Sequence, residues 1–404
     1  MSGRLLRRVG VTAVAAGLAL VPLPATAGPE AGERPVAELL TDLQRLYREA
    51  EKATETYNAT EEKLKRQAAE AERLDAGLAR ARSTLRDSRG AAARLARQQY
   101  QNSGTGLSPY LRLLLARDPQ RALDQGHVIG RMARDRARAV GRLTGSAQKA
   151  DALARRARAA LDARRALAAR QKEQRDTVRE RLRAVEEMLA SLSPGQLAAL
   201  AAAEKDGTAK AQDRFLASGA MGDDDGRPSD AGDRALRFAV EQLGKPYEWG
   251  AEGPGSYDCS GLTSVAWERA GTPIPRTSQE QWARLERVPL DALRPGDLVV
   301  YFPEATHVAM YLGDGKVIQA PRPGAAVKVS PIAANPVLGA VRPDPDAEPV
   351  AHYAPPRLPE GAADGSDEGY GAAQGLSATE PPSGRRREGA DRPYAPAAPE
   401  TSIR

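Results

Sequence analysis

The chain of 404 residues contains one cysteine, Cys259, and three histidines, His127, His307 and His352. A thiolate is a strong nucleophile, and a neighbouring imidazole can generate it by taking the thiol proton. Cys259 lies in the run Asp258-Cys259-Ser260-Gly261-Leu262, followed by an apolar helical stretch through Trp267 to Gly271. Asp258 reads as an N-cap, which sets Cys259 in the first turn of that helix. There the positive end of the helix dipole favours a thiolate, and free backbone N–H groups can donate to a developing oxyanion. His307 opens a β-rich segment, 307–312, whereas His127 falls in a helical region and His352 in a C-terminal tail. The pair at a helix start and a strand start suits Cys–His chemistry. A buried inert cysteine beside a structural histidine remains the alternative at this point. A single cysteine excludes an intramolecular disulfide, and an unpaired thiol in an exported chain points to intermolecular pairing or reactivity as against a buried core position. No His/Cys/Asp cluster stands at ligand spacing, so no metal or other cofactor is expected.

These residues need a folded support, and composition limits where it can be. All three tryptophans, Trp249, Trp267 and Trp282, fall within about 233–345. Residues 233–243 form an amphipathic helical pattern stopped by Gly244 and Pro246. Residues 297–302, 307–312, 316–320 and 326–329 read as short strands, with Gly313-Asp314-Gly315 as a turn. The expected fold class is α+β, with helices packed on a small antiparallel sheet.

The rest of the chain is organised differently. Arg4, Arg7 and Arg8, the apolar run from Val9 to Val21 and Ala25-Thr26-Ala27 have the three parts of a secretory signal peptide, 1–27. Export, and no transmembrane segment after cleavage, are the expectation. Over 36–192 the pattern is helical. Leu39, Leu43, Leu46, Ala50, Ala53, Tyr57, Leu64, Ala71, Leu74, Leu78, Ala81 and Leu85 form a coiled-coil seam, with Glu, Lys and Arg on faces expected to be solvated. Ser103-Gly104-Thr105-Gly106 breaks it. A second seam is expected at Ile129, Val140, Leu143, Leu161, Val178, Leu182, Val185 and Leu189. The two helices either fold back as a hairpin or pair with a second copy. Residues 193–232 read as a weak helix and a polar linker, and 346–404 as a disordered Pro/Gly/Ala-rich tail. The formal charge of +6 favours polyanions such as wall teichoic acid, headgroups or nucleic acid without choosing among them.

Five segments carry a resemblance. Gly244-Lys245-Pro246-Tyr247-Glu248-Trp249-Gly250, Asp258 to Leu262, Pro275-Arg276-Thr277-Ser278-Gln279-Glu280-Gln281, Arg294-Pro295-Gly296-Asp297-Leu298-Val299 and His307 to Gly313 resemble, in order, the NlpC/p60-type papain-like cell-wall peptidases. The resemblance implies Cys259 as nucleophile, His307 as general base and Gln319, where many members have histidine, as the group orienting the imidazole. It places Tyr247 opposite the nucleophile, with aromatic packing as the alternative role. It sets Asp258 and Ser260 at the site for the stem peptide's free N-terminus, with helix capping as the plainer role of Asp258. Arg276, Ser278 and Gln281 match positions near the cleft, where structural hydrogen bonding competes with ligand contact. The implied activity is hydrolysis of peptidoglycan stem peptides, between D-glutamate and the diamino acid, in a secreted, wall-associated protein. Nucleic acid is then not an expected partner. A wall or division-machinery protein could bind the coil, which would also serve to restrain the enzyme. The competing function is a wall-binding scaffold, catalytically weak because of Gln319.

Overall fold

The computed structural model describes residues 34–103, 119–222 and 226–363. The expected signal peptide, the break after Ser103 and the tail beyond residue 363 lie outside the described residues.

Helix α1 (Val36–Ser103) and helix α2 (Pro119–Ala190) pack side by side. Arg181 meets Glu49, Gln171 meets Tyr57 and Gln67 meets the Ala160 carbonyl. These pairings run in opposite directions along the two helices, so the chain folds back as a hairpin. The α1 seam is buried at Leu39, Leu43, Ala50, Tyr57, Ala71, Leu78 and Ala81. On α2 the expected seam holds at Val178, Leu182 and Val185 but fails at Val140 and Leu161, which are 55% and 41% exposed. Ala139, Ala150 and Ala160 are buried instead. In an alanine-rich helix several faces can satisfy a seam, and the smaller side chains let the helices approach more closely.

Helix α3 (Pro194–Ala217) is not a loose connector. Ser193 and Gln196 close a capping box around Pro194, and Leu200 is fully buried. Its far end docks on the C-terminal domain, where Gln212 bonds the Gly315 carbonyl and the Ala333 N–H. Residues 226–229 also lie on the domain, with Ser229 capping α4 (Asp230–Glu241) through the Gly232 N–H.

The domain continues with α5 (Cys259–Arg269), α6 (Ser278–Arg284) and six strands: β1 (Glu286–Val288), β2 (Leu298–Tyr301), β3 (His307–Gly313), β4 (Lys316–Gln319), β5 (Lys328–Pro331) and β6 (Val337–Arg342). The sheet is antiparallel in the order β1-β6-β2-β3-β4-β5. Strands β2 and β3 alternate apolar side chains into two cores. Leu298, Val300, Val308 and Met310 meet α4 and α5 through Leu236, Leu262 and Trp267. Val299, Tyr301, Ala309 and Tyr311 face the side covered by Phe215 and Met221. Residues 346–363, expected as free tail, lie against the domain: Val350 bonds the Pro228 carbonyl, Arg237 the Ala354 carbonyl, and Val329 the Ala362 carbonyl. Backbone groups of the segment carry these three hydrogen bonds, and a small side chain, Ala362, packs on the apolar core, so composition gives little sign of the docking.

Candidate active site

Asp258 caps α5 by accepting the Gly261 N–H at 2.6 Å, and so places Cys259 in the first turn. Gly261 is required here: a Cβ would run into the Ala251 carbonyl of the adjoining loop. The two segments can cross this closely only with a hydrogen at that position. His307 begins β3, which pairs with β2 on one side and β4 on the other. Its Nε2 lies 2.7 Å from Gln319 Oε1, and Gln319 Nε2 in turn donates to Ser330 Oγ at 2.8 Å. The serine fixes the amide so that its oxygen faces the ring. Nε2 therefore carries the proton and Nδ1 is left as the basic nitrogen. An imidazole held this way has the tautomer a general base needs.

Arg276, 8% exposed, lies against Asp258 and Ser260, the two residues that flank Cys259. Its Nη1 and Nη2 reach the Asp258 oxygens at 3.0 and 2.6 Å, and Nη1 also donates to Ser260 Oγ at 2.8 Å. Asp258, fully buried, takes the Gly250 N–H as well. Ser278 Oγ bonds the Ala305 carbonyl and Gln281 bonds Pro275 and Thr263, so both tie α6 to its surroundings. Tyr247 is buried, and the charges of Cys259 and Asp258 reinforce burial in raising its phenol well above the usual range. The structure thus gathers Tyr247, Asp258, Cys259, Ser260, Arg276 and Ser278 at one end of a cleft, with His307 and Gln319 beyond. Gln281 sits behind this group.

Helix α1 fills that cleft. Glu55 Oε1 accepts from Ser260 Oγ at 2.8 Å and lies 3.9 Å from Cys259 Sγ, while Oε2 accepts the Ser278 N–H at 2.9 Å. One turn earlier, Glu51 Oε1 is 3.8 Å from His307 Nδ1. One turn later, Asn58 Nδ2 donates to Asp258 Oδ2 at 3.0 Å, and Tyr57 meets Trp249 edge to face at 5.1 Å. Cys259 and His307 therefore face positions a single helical turn apart on α1. The expectation that acidic positions of the coil are solvated is overturned at Glu51 and Glu55. A glutamate beside a heptad seam has the same local sequence whichever surface it meets, so no signal in the chain distinguishes these two.

Cover by α1 reverses the electrostatics expected at Cys259. Burial, then the charges of Glu55, Asp258 and Glu51, push the Cys259 thiol well up, with Arg276 opposing. Burial also raises Glu51 to about 8 despite Arg322, and Glu55 to about 7, where Asp258 adds and Arg276 subtracts. The helix dipole does not prevail over these effects in the closed form. Glu55, Asp258 and Cys259 are the one group among the described residues whose ligand atoms lie within 4.8 Å of one another. Both Asp258 oxygens already face the fixed Arg276 cation, which disfavours a metal ion there.

The raised carboxyls make closure pH-dependent. The closed chain holds protons on Glu51 and Glu55 that the open chain, with ordinary carboxylates, releases. Closure is therefore strongest below about pH 5 and weakens as pH rises through about 7 and 8. In a Tyr57→Ala chain, where loss of the edge-to-face contact with Trp249 weakens the seating of α1, the closed fraction read by X-ray scattering should fall between pH 5 and 8. A flat or rising fraction would remove the two carboxyls from the energetics.

Residues 244–339 match the family model described as the NlpC/P60 family. The C-terminal region is an NlpC/P60 family domain. The motifs of the preceding paragraphs all fall within this NlpC/P60 region, and α1, α2 and α3 precede it. A probable endopeptidase of Corynebacterium glutamicum is 47% identical over 89 residues, 22% of this chain and 43% of that protein. One of Mycobacterium tuberculosis is 37% identical over 114 residues, 28% of this chain and 30% of that protein. The crystal structure of the NlpC/p60 domain of the peptidoglycan hydrolase SagA shares 31% identity, covering 28% of this chain and 97% of that one, at a TM-score of 0.26. The chain thus spans less than half the length of these two curated relatives. No helix among the described residues is long and apolar enough to cross a membrane.

Proposed function

We propose that the NlpC/P60 domain is a cysteine endopeptidase that cuts peptidoglycan stem peptides between D-glutamate and the diamino acid, and that α1 keeps it latent. The observation that carries the reading is Cys259 at the start of α5 with a tautomer-fixed His307–Gln319 pair, 2.7 Å apart, on the adjoining strands. In this mechanism His307 Nδ1 takes the thiol proton and Sγ attacks the scissile carbonyl carbon. Backbone N–H groups at the start of α5 stabilise the oxyanion. The tetrahedral intermediate collapses as imidazolium protonates the departing amine, leaving a thioester on Cys259. Water, deprotonated by His307, then releases the acid and restores the thiol. Gln319 accepts the Nε2 proton's hydrogen bond throughout. Being neutral, it orients the ring without contributing charge to the imidazolium.

Asp258 and Ser260 stand where the resemblance puts recognition of the stem peptide's amine, and Asn58 of α1 presents an N–H donor to Asp258 in the same place. This coincidence supports reading α1 as a substrate-like plug. An exported, wall-associated chain with the signal peptide at 1–27 is part of the same proposal, as is release of α1 by a wall or division protein acting on the hairpin.

The test uses the full chain carrying Glu55→Lys, which removes the plug. Digestion of stem peptides should yield, by mass spectrometry, products ending at D-glutamate, and adding Cys259→Ala should abolish them. An opened chain whose Cys259 alkylates readily yet leaves every stem peptide intact would refute the peptidase and leave the wall-binding scaffold.

A further inference from the structure

The plug also measures the cleft. Along one face of α1, Asn58 touches Asp258, Glu55 touches Cys259 and Ser260, Glu51 faces His307, and the Tyr47 ring lies 4.4 Å under the guanidinium of Arg322. At 1.5 Å per residue these contacts span about 16 Å, from Asp258 at one end to Arg322 at the other. If Asp258 holds the substrate's amine, as the proposed function has it, Arg322 stands past His307, where the leaving group departs.

Arg322 is 9% exposed, and its Nη2 reaches both carboxylate oxygens of Glu204 on α3 at 2.9 Å. Arg322 belongs to the NlpC/P60 region, whereas Glu204 and Tyr47 belong to the helices in front of it. The domain's cation is thus paired from outside, by the same body that covers the nucleophile. Three carboxylates are presented to the domain in this way: Glu55 to Ser260 and Ser278, Glu51 to His307, and Glu204 to Arg322. A cavity of about 620 Å³ lies beside the last of these, walled on one side by α1 and α3 through Tyr47, Glu204 and Phe215, and on the other by Phe302, Gln319 and Arg322 of the domain. Its domain wall, which remains when the helices leave, runs from Arg322 to Gln319, the residue that orients the imidazole.

We propose that Arg322 is the specificity-determining residue of the leaving-group subsite, binding the side-chain carboxylate of the diamino acid, and that Glu204 occupies its place in the closed chain. The inference rests on the peptidase reading for its direction along the cleft. A diaminopimelate-type residue supplies the carboxylate at the end of its side chain, and lysine does not. A guanidinium holds such a group by charge-assisted hydrogen bonds.

The test needs a chain opened by Glu55→Lys and with the partner of Arg322 removed by Glu204→Gln, in the full-length protein, Glu51 being left in place. With Cys259→Ala added to stop turnover, calorimetry compares diaminopimelyl-D-alanine with lysyl-D-alanine. The diaminopimelyl fragment should bind about tenfold to a hundredfold more tightly. Arg322→Ala should erase the difference, and Arg322→Lys should restore part of it. With Cys259 intact, Arg322→Ala should raise KM for the diaminopimelate stem peptide while kcat changes little, and leave the lysine peptide unaffected. Equal binding of the two fragments, binding of neither, or a preference that survives Arg322→Ala in a chain with unchanged circular dichroism would overturn the assignment. Arg322-dependent binding without cleavage of either peptide would uphold the subsite while refuting the peptidase.

Discussion

Replacing Glu55 by lysine should raise the alkylation rate of Cys259 in the full-length chain by about a hundredfold or more at fixed pH. In the closed form this carboxyl accepts from Ser260 Oγ and the Ser278 N–H while standing over the thiol. A lysine there leaves both donors without their acceptor and sets an ammonium against buried Arg276. Breaking a buried charged contact costs about 3–5 kcal/mol, which corresponds to about two to four orders of magnitude in the closing equilibrium. Opening also restores the nucleophile: the thiol loses the covering of α1 and the charges of Glu51 and Glu55, which hold it protonated. Glu55→Gln is the discriminating control. Glu55, raised to about 7, already spends much of its time as a neutral acid, so an amide of the same shape should keep the chain closed. Rates that rise equally in Glu55→Gln and Glu55→Lys would show that packing of α1, not the carboxyl's contacts, sets the closure. An unchanged rate in Glu55→Lys would show that α1 does not limit access to Cys259.

The largest loss of stability is expected from Arg276→Ala. Asp258 is fully buried, and this guanidinium is its cationic partner through two contacts of 3.0 and 2.6 Å. Its removal strands a carboxylate inside the domain and withdraws a donor from Ser260. A loss of about 3–5 kcal/mol in the domain's denaturant unfolding, followed by tryptophan fluorescence, is the expected result. The Gly250, Gly261 and Asn58 donors keep Asp258 partly satisfied, so the value should lie in the lower part of that range. Arg276→Lys keeps the charge but not the paired geometry, and should recover only part of the stability. Asp258→Asn in the Arg276→Ala chain should recover part as well, because it removes the stranded charge. A loss under about 1 kcal/mol for Arg276→Ala, or strictly additive effects of the two substitutions, would mean that the pair does not act as a buried ion pair.

Much of the domain could be read from the chain because its determinants are local. Asp258, Cys259 and Gly261 specify a capped helix start within four residues. The alternation in 298–301 and 307–313 specifies strands with two buried faces, and Gly313 to Gly315 specifies the turn. Strands β1 and β6 were not legible. Glu286-Arg287-Val288 is a short, mostly exposed edge with two charges, and β6 lies mainly half-buried, so neither carries a clear apolar rhythm. The α2 seam was only partly legible, because alanine at every face leaves the register to whichever face its partner permits.

What the sequence by itself determined was the chemistry available: a single thiol at a helix start, an imidazole at a strand start, a glutamine able to orient it, and a long helical segment in front. Whether that chemistry is exposed was decided by tertiary structure alone. Asn58 and Asp258 meet across 200 positions of chain, Glu55 and Ser260 across 205, and Glu204 and Arg322 across 118. Each of these glutamates is an ordinary helical residue by local propensity, and only the surface it meets raises its proton affinity or pairs its charge. Burial and pairing are properties of a contact between distant segments, and no spacing within one helix encodes them.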